Sequence, residues 1–465
     1  MNFVICLAAL FFLMTVAYRG YSVILFAPLA ALAAVLVTDP YAVPPIFSGL
    51  FMEKLVGFLK LYFPVFLLGA VFGKLIEISG FARAIVSAVT GLLGTSRSII
   101  AIVLVGAILT YGGVSLFVAV FAVYPFAAEL FRQSDIPKRL IPGTIALGAF
   151  TFTMDTLPGT PQIQNIIPST FFKTNAYAAP ILGIIGSLFI FTVGIAYLEW
   201  RRRAAAQRRE GYGTGHANEP EAVETSRPVN PLIALLPLFI VGIGNKLLLG
   251  VIAAAYGAQA SVALSPETAA HPVTVDVKAV TAIWAVEGAL ILGILATLIL
   301  GFRNIRGRFA EGSKAAVAGS LLAGMNTATE YGFGAVIAAL PGFKTISDGL
   351  AAIPNPLVNE AITVNVLAGV TGSASGGLSI ALAALSDRFI QGAQAAGIPM
   401  EVLHRVASMA SGGMDTLPHN GAVITLLAVT GLSHRQSYGD IFAITLIKTM
   451  AVFVVIAVYY LTGLV

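Results

Sequence analysis

The chain has 465 residues, of which 57% are hydrophobic and 11% charged, and its mean hydropathy is +0.90. Soluble domains carry about 25% charged residues, so this composition excludes a soluble domain and points to a polytopic membrane protein. The net charge of +5 is gathered in a few loops, where it speaks to orientation rather than to nucleic acid, and Cys6 as the only cysteine excludes an intrachain disulfide or a thiolate metal cage.

The apolar N-terminus has no basic residue before Arg19 and no small-residue cleavage site, so residues 3–18 read as a retained span. A tight turn at Arg19-Gly20 leads to a second span over 21–38. Past the loop from Asp39 to Pro45, residues 46–60 carry Glu53, Lys54 and Lys60 and read as an interfacial helix, followed by a span at 61–79. Residues 81–98, with Arg83 and Arg97, run along the inner surface. Residues 99–127 are apolar, but Thr110-Tyr111-Gly112-Gly113-Val114-Ser115 sits at their middle. A crossing takes ~20 apolar residues and each arm is shorter, so a re-entrant hairpin is expected. A broken span at 140–171 and a span at 178–199 complete residues 1–200. The arginine-rich stretch 201–230 has too few apolar residues to fold alone and reads as a flexible cytoplasmic linker.

Residues 231–465 replay this order. Spans at 231–252, 279–300 and 317–341 come first, with Arg303, Arg306, Arg308 and Lys314 before the third and Lys344 and Asp348 after it. A hairpin over 361–386 has its tip at Thr371-Gly372-Ser373-Ala374-Ser375-Gly376-Gly377. A broken span at 403–432 and a span at 440–463 close the chain. Gly80-Phe81 with Gly342-Phe343, Gly112-Gly113 with Gly376-Gly377, and Met154-Asp155-Thr156-Leu157-Pro158 with Met414-Asp415-Thr416-Leu417-Pro418 recur at offsets of 262, 264 and 260, the mark of an internal repeat. With the basic loops in the cytoplasm, both termini fall outside, on the periplasmic side. Each half makes five crossings, so the second is inverted relative to the first. The fold class expected is an all-α polytopic membrane protein of two inverted repeats.

The pentapeptides carry the chemistry. A proline inside a span removes a backbone donor, and in lipid such a break survives only where protein or a wet cavity surrounds it. Paired interruptions in two halves are the best sequence pointer to a transporter's binding site. In the first, Thr160-Pro161 reads as cap and first residue of a half-helix that continues through Gln162; in the second, Pro418-His419-Asn420-Gly421 does the same, with Asn420 as cap. Two opposed helix N-termini make a site for a small carboxylate. Thr110, Ser115, Thr371, Ser373 and Ser375, with Thr156 and Thr416 in the breaks, offer hydroxyls, and Gly112 and Gly113 allow close backbone approach. The plainer reading of these small residues is helix packing. Asp155 and Asp415 are candidates for proton coupling, since an acid in low dielectric favours its neutral form; each could instead cap amides freed by the break. Glu330 breaks the internal symmetry and is either a proton carrier or a paired structural acid. His419 titrates near neutrality or bonds the substrate. Lys246 and Glu287 are expected to neutralise each other.

On the tip Tyr111-Gly112-Gly113-Val114-Ser115 and both broken spans, the chain resembles the gluconate:proton symporter (GntP) family of the ion transporter superfamily. The resemblance implies proton-coupled uptake of a small hydroxy-carboxylate across a bacterial inner membrane. It also implies a homodimer with a fixed scaffold and an elevator-like transport domain. At the first break the family's histidine- and proline-rich stretch is reduced to a proline-turn-proline skeleton, and the chain looks closer to the 3-hydroxybutyrate permease branch. A short hydroxy- or keto-monocarboxylate therefore fits better than gluconate. No cofactor, metal or nucleic acid is expected, and without a GxxxxGK[ST] loop ATP does not drive transport. The alternatives are a passive organic-anion channel and a sodium-coupled symporter. An intramembrane aspartyl hydrolase would need Asp155 and Asp415 to share a proton.

Overall fold

The computed structural model describes residues 2–19, 21–94, 97–114, 116–219, 229–265, 272–343, 345, 349, 353–418 and 420–465. Gly20, Ser115, Lys344, Asp348, His419 and the linker residues 220–228 lie outside the described residues. Among the described residues the regular structure is helical apart from a short antiparallel pair, Gln259–Val262 with Val273–Asp276, which joins two long helices. Among the described residues five helices are long and apolar enough to cross a membrane by themselves: Pro40–Ile78, Pro180–Gln207, Pro231–Tyr256, Val277–Ile305 and His434–Thr462.

The first of these corrects the expected interfacial helix. Residues 46–60 do not end before a separate span; they run without interruption into it, through a π-type turn at Ile46–Phe51. Glu53, Lys54 and Lys60 are good helix formers, so their charge marks no boundary. This long helix packs along Phe309–Ala339 and Val277–Ile305, with Val23–Thr38 and Pro231–Tyr256 completing one group of helices. Lys246 lies there with its Nζ 4.6 Å from the Tyr177 ring centre. It makes a cation–π contact and no ion pair with Glu287, so that expected neutralisation is absent.

A second group is built around two hairpins and two interrupted helices. Ser98–Tyr111 turns at Gly112-Gly113 into Leu116–Gln133, and Pro356–Thr371 turns at Gly372-Ser373 into Ala374–Ala395. Gly372 has φ +65°, the left-handed C-cap that glycine adopts without strain. Gly112 and Gly372 are the matching tip residues, 260 positions apart like the pentapeptides. Gly376-Gly377, which the sequence pairs with Gly112-Gly113, lie instead in the first turn of the second arm. A Cβ on Gly377 would stand 2.2 Å from Ala368 Cα, so this glycine lets the two arms touch.

The first interrupted helix consists of Ile141–Ala149, the single turn Phe152–Asp155 and Ile163–Phe172. The second consists of Met400–Ser411 and Gly421–Thr430.

The stretch read as a free linker is ordered over its first part. Pro180–Gln207 carries Arg201, Arg202 and Arg203 in its last two turns, and residues 210–219 then fold back across the hairpin base. Tyr212 N donates to Asp135 Oδ1 at 2.9 Å, Lys138 Nζ bonds Ala217 O at 2.8 Å, and Asn218 Nδ2 bonds Ala428 O at 2.7 Å. Arg139 grips Glu210 through two bonds of 2.6 and 2.9 Å, and these hold the Glu210 carboxyl below its ordinary range. A carboxylate depressed in the folded state contributes stability above its unfolded pKa and loses it as pH falls through the folded value. The strap is therefore expected to stay protected near pH 7 and to open below roughly pH 4. Hydrogen exchange of residues 210–219, corrected for intrinsic rates, checks this; protection unchanged down to pH 3 contradicts it.

Candidate functional site

The two interruptions meet. Between Asp155 and Ile163 the chain leaves the helix, and Gly159, at φ +85°, turns it under the Tyr177 ring. Thr160 does not cap the half-helix: its hydroxyl donates to Thr153 O at 2.8 Å, Gln162 takes the N-cap position, and helical structure starts at Ile163 rather than Pro161. Asn420 caps Gly421–Thr430 as expected, accepting from Val423 N at 2.9 Å. The caps share a second duty. Gln162 Nε2 donates to Thr110 O at 2.8 Å and to Val114 O at 3.2 Å, and Asn420 Nδ2 donates to Gly372 O at 2.7 Å. Each half-helix N-terminus is thus stapled to the tip of its own hairpin.

Across the halves, Asp155 Oδ1 accepts from Thr156 Oγ1 at 2.5 Å, while Oδ2 has no donor and lies against Gly412. A Cβ on Gly412 would stand 1.7 Å from that oxygen. Asp415 Oδ1 is 2.5 Å from Lys448 Nζ, which also bonds Phe150 O in the first interruption at 3.1 Å. Asp155 and Asp415 thus each bond another group, not each other. Thr416 Oγ1 pairs with Thr445 Oγ1 at 2.6 Å. Arg405, fully buried, spans the halves: its Nη1 reaches Asp155 O and Asn165 Oδ1 at 3.1 Å each, and its Nε and Nη2 reach Ala178 O at 3.1 and 2.7 Å. Ser408 Oγ adds a bond of 2.6 Å to Asp155 O, and His404 pairs with Thr174 Oγ1 at 2.6 Å.

An open cavity of about 1030 Å³ lies between this assembly and the helix Phe309–Ala339. Of the residues singled out from sequence, Gly113, Gln162, Glu330, Thr371, Ser373, Ser375, Asp415, Thr416 and Asn420 line it. Thr110, Gly112, Asp155, Thr156 and Thr160 stand behind its wall. Gly112 is closed off by Leu238, whose Cγ would be 2.4 Å from a Cβ there. Two cations essential to the arrangement, Lys448 and Arg405, escape the sequence reading. For Lys448 the signal was present: it is a basic residue within an otherwise apolar segment, which in a membrane demands a partner; Arg405 is masked by Glu401 and His404 beside it.

No protein-family model matches the chain. Over 476 aligned positions, covering 100% of both chains, it is 56% identical to the transporter YxjC of Bacillus subtilis. A stretch of 73 residues, 16% of this chain and 17% of the other, is 44% identical to a transporter of Haemophilus influenzae. Among solved structures, the YdaH transporter of Alcanivorax borkumensis has a TM-score of 0.52 over 90% of this chain and 89% of that one, at 14% identity, a likeness of fold alone.

Proposed function

The chain belongs to the transporter family of YxjC, and on that premise we propose a proton-coupled symporter of a small hydroxy- or keto-carboxylate of the 3-hydroxybutyrate type. The observation that carries this reading is the cavity. It joins a stapled half-helix N-terminus from each half, the tip of the second hairpin and the buried acid Glu330 around one space. Helix N-termini and hydroxyls suit a small anion, and an acid without a partner beside them suits a proton that travels with it. The same features agree with the resemblance to gluconate:proton symporters.

In this reading residues 1–200 and 231–465 are inverted repeats. The hairpins and interrupted helices move as one body against a scaffold of the long helices, in a homodimer in the bacterial inner membrane. The cavity extends toward Lys74, Glu77 and Ser320, the end beside the 303–314 basic cluster. The positive-inside rule gives that end to the cytoplasm, so the state is inward-facing.

Proteoliposomes given labelled 3-hydroxybutyrate on the outside test the function. Uptake is expected to accelerate severalfold when an inward proton gradient is imposed, and to show counterflow. Uptake that ignores pH but follows sodium overturns the coupling, and absence of counterflow replaces the carrier with a channel.

A further inference from the structure

Resting on the carboxylate-symport reading above, we propose that Gln164 is the residue that selects a hydroxy acid. Its Oε1 accepts the hydroxyl of a substrate whose carboxylate sits on the uncapped N-terminus of Ile163–Phe172. The substrate is thereby narrowed from a hydroxy- or keto-carboxylate to one that carries a hydroxyl donor.

Gln164 lies in the first turn of this half-helix and lines the cavity. Among the described residues lining that cavity, two hold a buried side-chain oxygen with no hydrogen-bond partner: Glu330 Oε2 and Gln164 Oε1. A carboxyl can become its own donor by taking a proton. An amide oxygen has no such recourse, because it only accepts. Gln164 is 7% exposed, and an acceptor shut away from water without a donor is costly. A donor carried into the cavity removes that cost. The last torsion of a glutamine is broad and two-fold, so Oε1 can swing to a guest without moving the helix.

The same turn supplies donors for the carboxylate. The half-helix is 10 residues long and has no side-chain cap, since Gln162 directs its amide to Thr110 O and Val114 O in the hairpin tip. Asn165 N turns back to Gln162 O at 3.0 Å. The amides of Ile163 and Gln164 are left with no carbonyl of their own helix to bond, and both residues line the cavity. The helices Ala374–Ala395 and Gly421–Thr430, which also begin at the cavity, are capped: Ser373 Oγ accepts from Gly376 N and Asn420 Oδ1 from Val423 N. An anion therefore finds open donors and the positive end of a dipole at Ile163 and Gln164. A carboxylate placed there, with a hydroxyl on the second carbon from it, meets the backbone N–H and the side-chain oxygen of one residue. An acid without the hydroxyl seats its carboxylate but leaves Oε1 unmatched. A keto acid sets one acceptor against another. Sites built to bond a substrate hydroxyl reject the analogue lacking it for this reason.

Counterflow of labelled 3-hydroxybutyrate in proteoliposomes, with butyrate or acetoacetate as external competitor, tests this. For the wild type each competitor is expected to need at least about tenfold the concentration of unlabelled 3-hydroxybutyrate for half inhibition. In Gln164→Met, close in volume but without the amide oxygen, the half-saturation for 3-hydroxybutyrate is expected to rise by about the same factor. Inhibition by butyrate should hold or strengthen, so that the preference disappears. A wild type inhibited as well by butyrate or acetoacetate as by 3-hydroxybutyrate overturns the assignment, and that comparison does not depend on how any variant folds. A folded Gln164→Met that keeps the wild-type preference overturns it as well. A wild type without any 3-hydroxybutyrate counterflow contradicts the symport reading itself, whereas counterflow without preference contradicts the role of Gln164 alone.

Discussion

Lys448→Met is expected to destabilise the protein strongly. The Lys448 ammonium, 3% exposed, is 2.5 Å from Asp415 Oδ1, whose side chain is 7% exposed. Its second bond goes to Phe150 O, so one side chain ties the second interruption to the first. Removing it leaves a carboxylate buried without its counter-charge, a loss of about 3–5 kcal/mol against total stabilities of about 5–15 kcal/mol. In detergent the variant should melt roughly 5–10 °C lower or aggregate on extraction. The double variant Lys448→Met with Asp415→Asn carries no stranded charge and should recover most of that loss. A single variant as stable as wild type shows that the pair does not hold the interruptions together. Recovery of stability without recovery of uptake separates a role in transport from one in folding.

Both hairpins and both interruptions were legible because membrane physics leaves few alternatives. An apolar stretch with a glycine turn at its centre is too short to cross twice, and a proline beside an acid cannot continue a lipid-facing helix. Boundaries set by side-chain competition were not legible. Thr160 looks like a cap, but its hydroxyl is drawn to Thr153 O, and the half-helix begins at Ile163. Glu53, Lys54 and Lys60 suggested an interfacial segment, yet nothing in a charge ends a helix. The stapling of Gln162 and Asn420 to the hairpin tips arises only when distant segments meet. Composition likewise could not separate a docked strap from a disordered linker, because Glu210 and Glu219 use the same polar residues for contacts as for solvation. The site's acids stand out in the sequence as carboxylates in apolar stretches, and Lys448 stands out as a cation in the same way; Arg405, next to His404 and near Glu401, does not.

Arg405→Lys is expected to leave a folded protein whose maximal uptake rate falls at least tenfold, although the charge is conserved. The guanidinium works as a fork: Nε and Nη2 both reach Ala178 O, while Nη1 divides between Asp155 O and Asn165 Oδ1. A lysine brings a compact point charge and cannot reproduce that planar spread. Either Asp155 O or Ala178 O then loses its charged donor, and a buried polar group left unmatched costs about 1–3 kcal/mol. Ser408 still holds Asp155 O at 2.6 Å, so the turn at residues 152–155 should survive while the loop 156–162 loosens against the second interrupted helix. Faster hydrogen exchange at amides 156–162, with slower uptake and a near-normal melting temperature, is the expected combination. Arg405→Leu, which removes every one of these donors, should fail to accumulate as folded protein. If Arg405→Lys leaves both exchange and uptake unchanged, Ser408 alone suffices to join the two interruptions and the fork is redundant.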